Sequence, residues 1–285
     1  MQKNIKQKKA KTVAVINDMS SFGKCSLTAA LPVFAACNTV CCPLPTALLS
    51  AQTGFSHYFM EDTSYVWDGY IKSWQNMGVK FDGILSGFLT GGLEAKKTYD
   101  FIQTFKDQDT LIVVDPVMGD KGKRYAVCDD YLIEEMRRLI SCADIITPNL
   151  TEFCLISGLD FDKVCKKQND TDFFEFLHKE CQAVFKLGCK RIVVSGIKQN
   201  NSILNFIDDK KNYFITKSPY FGVNISGAGD ILASIITAKS VKGISLKRAV
   251  LLADKFLTKA ISNTVKKKFD PNFGIDFEKY LYKLK

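Results

Sequence analysis

The chain has 285 residues, of which 46% are hydrophobic and 24% charged, and its formal net charge is +9 at pH 7. This length allows a sizeable core. No apolar run reaches the roughly 18 residues that a membrane-spanning helix needs, so we expect no membrane partner. The lysines are spread along the chain without interleaved arginine and aromatic residues, which disfavours nucleic acid as the partner.

The first twelve residues, MQKNIKQKKAKT, are basic and lack the apolar segment of a secretion signal. The ten cysteines are scattered and no CxxC pair occurs, so we expect neither a disulfide framework nor a zinc site. We predict a cytoplasmic protein with a basic extension over residues 1–11 and a single domain over residues 12–285.

Short apolar runs, typical of strands covered on both faces, alternate along the chain with segments of helical length. These runs predict strands over 12–16, 83–87, 110–115, 143–147 and 191–196. Helices that can serve as right-handed crossovers are predicted over 93–108, 129–141 and 171–188. The remaining predictions are a long binding loop over 43–57, an antiparallel hairpin over 202–208 and 211–218, and helices over 227–241 and 245–265. This order predicts an α/β fold with helices on both faces of a central, mostly parallel sheet.

Polar residues follow each of the five predicted parallel strands. They are Asn17 and Asp18, Ser86 and Gly87, Asp115 and Asp120, Thr147 with Asn149 and Glu152, and Ser195 with Gly196. In open α/β sheets the ligand binds beyond the carboxyl ends of the strands, so these residues are candidates for a site. Two aspartates and a glutamate converging there would repel each other unless a cation lay among them. A hydrated Mg²⁺ that carries phosphates is the simplest occupant.

Residues 227–230, GAGD, open one of the predicted helices. Two glycines let an anion approach the unsatisfied N–H groups of a helix N-terminus. An ordinary glycine-rich helix start, with Asp230 as a favourable first-turn charge, explains the tetrapeptide equally well. Phosphoryl transfer to an alcohol needs a metal on the nucleotide, donors for the moving group and a carboxylate for the hydroxyl proton. The acidic strand ends, the glycine turn and Asp230 together meet these needs.

From about Val13 to about Val265 the chain resembles the pyridoxal kinase family of the ribokinase superfamily. The segments that carry the resemblance occur in the family's order: INDMSSFGKCSLTAALPVF, LPTALLSAQTGF, LSGFLTG, VDPVMGDKGKRY, ADIITPNLTE, IVVSG and SGAGDILAS. The resemblance implies a ribokinase-like three-layer α/β/α sandwich. It also implies an ATP-dependent kinase acting on the 5′-hydroxymethyl group of pyridoxal, pyridoxamine or pyridoxine. Mg²⁺, an optional monovalent cation such as K⁺, and a homodimer are further implications.

The resemblance implies a role for each matching residue. Asp230 is the catalytic base, and Gly227, Ala228 and Gly229 form an anion hole. The residues placed at ATP are Asp115, Tyr125, Thr147, Asn149, Glu152, Ser195 and Gly196, with Asp115, Asp120 and Glu152 near the metal. The residues placed at the substrate are Asp18, Thr53 and Phe88. The family commonly has threonine in place of Ala228 and tyrosine in place of Phe88, and these two departures bear on substrate range and rate.

Three alternatives to a B6 kinase follow from the same sequence. Hydroxymethylpyrimidine kinase shares the fold and the nucleotide motifs, but its branch usually opens with a segment like GSDSSGGAG, where this chain has NDMSSFGKCSL. A dinucleotide-dependent oxidoreductase needs a GxGxxG turn after an early strand, and none follows residues 12–16. A basic nucleic-acid-binding protein is the non-enzymatic alternative, and it predicts steeply salt-dependent binding to DNA or RNA.

Overall fold

The structure is a computed structural model that describes residues 10–285. The predicted basic extension lies outside the described residues except for positions 10 and 11, and Lys11 already begins the first strand. The strands are β1 (Lys11–Ser20), β2 (Thr39–Leu49), β3 (Met60–Asp62), β4 (Gly83–Ser86), β5 (Leu111–Val114), β6 (Gly119–Asp120), β7 (Lys123–Arg124), β8 (Ile145–Ile146), β9 (Arg191–Gln199), β10 (Ser202–Asp208) and β11 (Tyr213–Pro219).

The helices occur mostly between consecutive parallel strands, as crossover connections require. They are α1 (Ser26–Ala36), α2 (Trp67–Asn76), α3 (Gly92–Phe105), α4 (Asp130–Ile140), α5 (Leu150–Ser157), α6 (Phe161–Lys167), α7 (Phe173–Phe185), α8 (Ala228–Ser240) and α9 (Leu246–Thr264). Short 3₁₀ turns cover Ser64–Val66, Pro271–Phe273 and Glu278–Leu284. None of the helices within residues 10–285 is both long and apolar enough to span a bilayer.

The main sheet has nine strands in the order β11-β10-β9-β8-β5-β4-β1-β2-β3. The six strands from β9 to β2 are parallel, while β10, β11 and β3 are antiparallel additions at the two edges. The predicted mostly parallel sheet and the predicted hairpin at its edge are confirmed.

Alternate side chains of the parallel strands enter two cores, one on each face of the sheet. Along β1, Ala14 and Ile16 join the core that contains residues of α3, α4, α5 and α7. Val13 and Val15 join the core that contains residues of α1, α8 and α9. Both faces of the strand are therefore buried, which is why its sequence is continuously apolar. The predicted three-layer α/β/α fold is confirmed.

The prediction of a loop over residues 43–57 is wrong for its first half. Residues 43–49 belong to β2, which pairs in parallel with β1 along most of its length. Pro43 and Pro45 lack an N–H group, but β3 pairs with β2 only from Ala47 to Leu49. The prolines therefore lie where the outer side of β2 has no partner strand, a position at which the missing donor is tolerated.

Candidate active site

The predicted polar residues lie at the carboxyl ends of the parallel strands, along one edge of the sheet. β1 extends to Ser20 rather than ending at residue 16, so Asn17 and Asp18 lie inside the strand. The register between β1 and β2 shifts between Asn17 and Met19. Such a bulge changes the direction of a side chain and is common beside active sites.

Asp230 lies on the first turn of α8, and its carboxylate accepts three hydrogen bonds, one of them from its own backbone N–H. The side-chain amide of Asn17 donates to Asp230 Oδ1 over 3.0 Å, and the backbone N–H of Ser26 donates to the same carboxylate. Burial and the negative charge of Asp18 raise the pKa of Asp230, the three donors oppose the rise, and the resulting pKa is about 6. A carboxylate with this pKa is ionised at neutral pH and is a stronger base than an ordinary aspartate.

Gly227 is the N-cap of α8 and has a φ of 82°, in the left-handed region. A Cβ at this position would lie 2.1 Å from the backbone oxygen of Lys24, so only glycine fits. A Cβ on Gly229 would meet open space, and Ala228 packs its methyl group against the core beneath α8. The first N–H groups of a helix have no acceptor within the helix, so residues 228–230 offer donors to an anion.

The predicted substrate-side residues lie on three different segments. Asp18 is 3% exposed, and burial raises the pKa of its carboxyl group. The hydroxyl groups of Ser26 and Ser20 donate to this carboxyl group and oppose the rise, and the Ser20 hydrogen bond is 2.7 Å long. Phe88 is half-buried, and its backbone N–H donates to Asn17 Oδ1 over 2.8 Å. Thr53 is exposed.

The loop that carries Thr53 is held against the glycine turn by Gln52. The Gln52 amide donates to Asn272 O over 2.9 Å and accepts from the backbone N–H of Gly54 over 2.9 Å. The neighbouring Pro271 O accepts from the backbone N–H of Ser226, which lies directly before Gly227. Sequence reasoning missed Gln52 because the contact that ties its loop to Asn272 spans 220 positions of the chain.

The structure brings together four of the residues predicted to lie at the nucleotide, Asp115, Thr147, Asn149 and Glu152. The Thr147 hydroxyl donates to Asp115 over 2.8 Å. Burial, followed by the charge of Asp230, raises the pKa of Asp115 to about 7. Burial and the charge of Asp115 raise the pKa of Glu152 well above its ordinary value. Two buried carboxyl groups that each disfavour the other's ionisation form a natural place for a cation.

Asn149 and Glu152 also form the capping box of α5. Asn149 Oδ1 accepts from the Glu152 N–H over 3.0 Å, and Glu152 Oε2 accepts from the Asn149 N–H over 2.8 Å. The Asn149 amide donates to Gly119 O, and Glu152 Oε1 accepts from the Met118 N–H. The pair therefore fixes the turn that follows β5 as well as the helix.

Asp120 and Tyr125 belong to the short β6–β7 hairpin and its exit. Asp120 is half-buried and accepts from the Lys121 N–H. The pKa of the Tyr125 hydroxyl is raised by burial and then by the charges of Glu152, Asp120, Asp230 and Asp115. Its ring therefore lies beside the acidic strand ends, although the residue remains 41% exposed.

No group of three or more His, Cys, Asp or Glu side chains in residues 10–285 is arranged to hold a metal ion. The predicted ligand set of Asp115, Asp120 and Glu152 is thus not a preformed cage. Mg²⁺ usually binds one or two carboxylates together with substrate phosphates. The buried pair of Asp115 and Glu152 fits this requirement.

Ser195 and Gly196 lie in β9, where the Ser195 N–H donates to Pro148 O over 2.8 Å. Gly196 has a φ of 70°, and its N–H donates to Asn205 Oδ1 over 3.0 Å. Asn205 in turn donates to the buried carboxylate of Asp254 on α9 over 2.6 Å. Asp254 also lines a cavity of about 590 Å³ between β11 and α9, together with Phe221, Leu251, Lys217, Lys255 and Lys259. This volume is in the range of small-molecule sites.

Comparison with known proteins gives a consistent family. The model of the family described as phosphomethylpyrimidine kinase matches residues 23–272. A hydroxymethylpyrimidine/phosphomethylpyrimidine kinase of Aquifex aeolicus is 28% identical over 188 residues, which cover 65% of this chain and 68% of that protein. A pyridoxine kinase of Bacillus subtilis is 26% identical over 195 residues, which cover 66% of each chain. The match to these two curated relatives thus spans about two thirds of their length.

A solved structure matches over nearly the whole chain. It is a putative phosphomethylpyrimidine kinase from Bacteroides thetaiotaomicron, crystallised in an orthorhombic form with pyridoxal. The two chains are 31% identical, the match covers 97% of this chain and 96% of the other, and the TM-score is 0.90.

Proposed function

The chain belongs to the phosphomethylpyrimidine kinase family, and from this premise we propose that it is an ATP-dependent kinase for the 5′-hydroxymethyl group of a B6 vitamer. Membership of a kinase family argues against the dinucleotide-dependent oxidoreductase and the nucleic-acid-binding alternatives. The observation that carries the proposal is the position of a hydrogen-bonded carboxylate, Asp230, on the first turn of a helix, where the N–H groups have no acceptor within the helix.

This arrangement suits phosphoryl transfer to an alcohol. Asp230 takes the proton of the substrate hydroxyl as its oxygen forms a bond to the γ-phosphorus of ATP. The bond from that phosphorus to the β,γ-bridging oxygen breaks, and ADP leaves with the electron pair. The N–H groups of residues 228–230 face the negative charge of the phosphoryl group in transit. Asp230 then returns its proton to solvent.

The nucleotide is proposed to lie along the ends of β5, β8 and β9. Asp115 and Glu152 would hold Mg²⁺, which neutralises phosphate charge when bound. Thr147 and Asn149 are proposed to contact the phosphates, and Tyr125 to cover them. Ser195 and Gly196 would contact the nucleoside, and the cavity between β11 and α9 next to their partner Asp254 is large enough to receive its base.

Two observations favour a B6 vitamer as the alcohol. The Bacteroides relative, 31% identical over nearly the full length, was crystallised with pyridoxal. Residues 17–27 of this chain, NDMSSFGKCSL, also lack the Gly/Ser-rich pattern of hydroxymethylpyrimidine kinases. Asp18 and Phe88 are proposed to contact the pyridine ring, with Thr53 closing over it. Hydroxymethylpyrimidine is the alternative substrate, because the Aquifex relative is named for it.

A homodimer is part of the proposal. Large apolar side chains are exposed near the β2–β3 edge, including Leu48, Phe59 and Tyr65. Contiguous exposed apolar surface is typical of protein interfaces. Sedimentation analysis of the wild type tests this, and a monomer at micromolar concentration would contradict it.

The activity is tested by ADP release with pyridoxal, pyridoxamine, pyridoxine and hydroxymethylpyrimidine in parallel assays with Mg·ATP. Asp230→Asn is expected to lower kcat by about 10²–10⁴-fold, the usual contribution of a general base. Nucleotide affinity of this variant is expected to stay near the wild-type value. Absence of turnover with all four alcohols would refute the kinase, and turnover of hydroxymethylpyrimidine alone would establish the alternative.

A further inference from the structure

Asn17 is a buried amide at the centre of the proposed site, and its side chain makes three hydrogen bonds. It is 4% exposed. Its oxygen accepts from the backbone N–H groups of Asp18, over 3.0 Å, and Phe88, over 2.8 Å. Its nitrogen donates to Asp230 Oδ1 over 3.0 Å. One side chain thus contacts the proposed base and the backbone of both proposed ring contacts.

The orientation of this amide is fixed by its surroundings. Two backbone N–H donors require an oxygen on their side, so the NH₂ group must point to Asp230. A Cβ on Gly87 would lie 2.6 Å from the Asn17 amide, so the glycine after β4 allows the amide to approach. No rotation of Asn17 about its terminal bond would keep these three hydrogen bonds.

We propose that Asn17 is a positioning residue. It holds the carboxylate of Asp230 at a fixed position relative to the substrate ring, which lies between Asp18 and Phe88. The inference rests on the proposed function and adds a determinant to the same site. A carboxylate on a helix turn has several rotamers, and a base must lie within hydrogen-bond reach of the hydroxyl it deprotonates. The Asn17 amide selects one rotamer.

A neutral donor is suited to this task. The titratable groups of the described residues that interact with Asp230 through their charge are Asp18, Asp115, the thiol of Cys25 and the hydroxyl of Tyr125. The two carboxyl groups disfavour ionisation of Asp230 when they are charged, whereas burial raises the pKa values of the Cys25 thiol and the Tyr125 hydroxyl, so both are neutral at neutral pH. The amide opposes them without the strong suppression of basicity that a lysine or arginine partner would cause.

The proposal is tested with Asn17→Asp and Asn17→Ala. Both variants lose the donor to Asp230, and we expect kcat to fall about 10- to 100-fold, as for a lost hydrogen bond to a charged group. KM for ATP is expected to stay within about twofold of wild type, because the nucleotide residues lie on other strands. In Asn17→Asp two carboxylates would face each other, so the acid limb of kcat/KM should move to higher pH by about one unit or more.

Asn205→Asp is the matched control. Asn205 is also buried, also accepts from a backbone N–H and also donates to a buried carboxylate, that of Asp254. The same substitution there has a similar stability cost, which thermal melting reports, and we expect it to alter KM for ATP without moving the acid limb. The proposal would be overturned if Asn17→Asp kept the wild-type kcat and the wild-type acid limb of kcat/KM. It would also be overturned if Asn17→Asp and Asn205→Asp changed both quantities identically.

A measurement without turnover separates this proposal from the proposed function. The pKa of the Asp230 carboxyl group, followed by NMR, is expected to rise in Asn17→Ala relative to wild type. If the wild type phosphorylates none of the four alcohols, the proposed function fails and the NMR titration still decides on Asn17. An Asp230 pKa that is the same in both proteins would overturn the proposed contact.

Discussion

Replacement of Gly227 by alanine tests whether the glycine turn, residues 227–229, requires glycine because the backbone of Lys24 packs directly against it. The backbone at Gly227 has a φ of 82°, and alanine in this region costs about 1–2 kcal/mol. The new Cβ would lie 2.1 Å from Lys24 O, more than 1 Å inside ordinary van der Waals contact. Overpacking of this kind costs about 1–3 kcal/mol further.

The two contributions are separated by Gly243→Ala. Gly243 follows α8, has the same φ of 82°, and has open space where a Cβ would lie. This control therefore bears only the backbone cost. The excess for Gly227→Ala is then about 2 kcal/mol, which for a chain of this length corresponds to a Tm about 3–4 °C lower than that of the control.

Relief of the clash must move either the glycine turn or the chain at Lys24, whose backbone N–H is held by Phe273 O over 2.9 Å. A moved turn no longer presents its N–H groups to the phosphoryl group, so kcat should fall in Gly227→Ala and stay at the wild-type value in Gly243→Ala. The assays are thermal melting and ADP release. Equal Tm values for the two variants, with full turnover by Gly227→Ala, would refute the reasoning.

Three further predictions follow from the same contacts. Burial raises the pKa of Glu94 from its ordinary value of 4.5 to about 8, so the folded protein favours the protonated carboxyl group. The stability that this group contributes is fully present below pH 4.5 and is lost as the pH rises towards 8. The Tm of Glu94→Gln relative to wild type should accordingly rise between about pH 5 and pH 9, and parallel Tm curves would contradict this. Asn149→Ala should lower the free energy of unfolding, measured in urea, by about 1–2 kcal/mol, and it should also raise KM for ATP. Asp160→Ala removes the N-cap hydrogen bond of α6, and it should lower the free energy of unfolding without changing KM for ATP. Ala228→Thr should lower KM for ATP about 2- to 10-fold by adding one hydroxyl donor to the phosphates, as initial-rate kinetics would show.

Features that depend on neighbouring residues were accessible to sequence reasoning. Strand β1 is continuously apolar because Val13 and Ile16 enter different cores, and this pattern reveals a covered parallel strand without any knowledge of its neighbours. The Asn149–Glu152 spacing is likewise a local capping-box signal, although sequence reasoning assigned the two residues only to ATP and the metal.

Features that depend on distant residues were not accessible in this way. Asn17 meets Asp230 across 213 positions, and its oxygen faces Phe88 only because Gly87 has no side chain. Hydrophobic periodicity does not predict such a contact. In a sequence, a polar residue at a strand end cannot be distinguished by whether it has a hydrogen-bond partner elsewhere in the chain. The β2 strand was missed for a related reason: its two prolines indicate a loop unless the unpaired outer side of the strand is known.

The acidic groups of the site differ in pKa, and burial is the largest cause of the rise in each of them. Asp230 receives three hydrogen bonds, from the Asn17 amide and from the backbone N–H groups of Ser26 and Asp230, and has a pKa of about 6. Asp115 receives one from Thr147 and has a pKa of about 7. The pKa of Glu152 is raised well above its ordinary value by burial and by the charge of Asp115, although the backbone N–H groups of Asn149, Met118 and Gly119 donate to it. At neutral pH the base is therefore ionised without a cation, while the pair at the nucleotide side is not fully ionised until a cation offsets its repulsion. Under the proposed function, a cation at Asp115 and Glu152 would promote nucleotide binding, whereas one at Asp230 would remove the basicity that the proposed reaction needs.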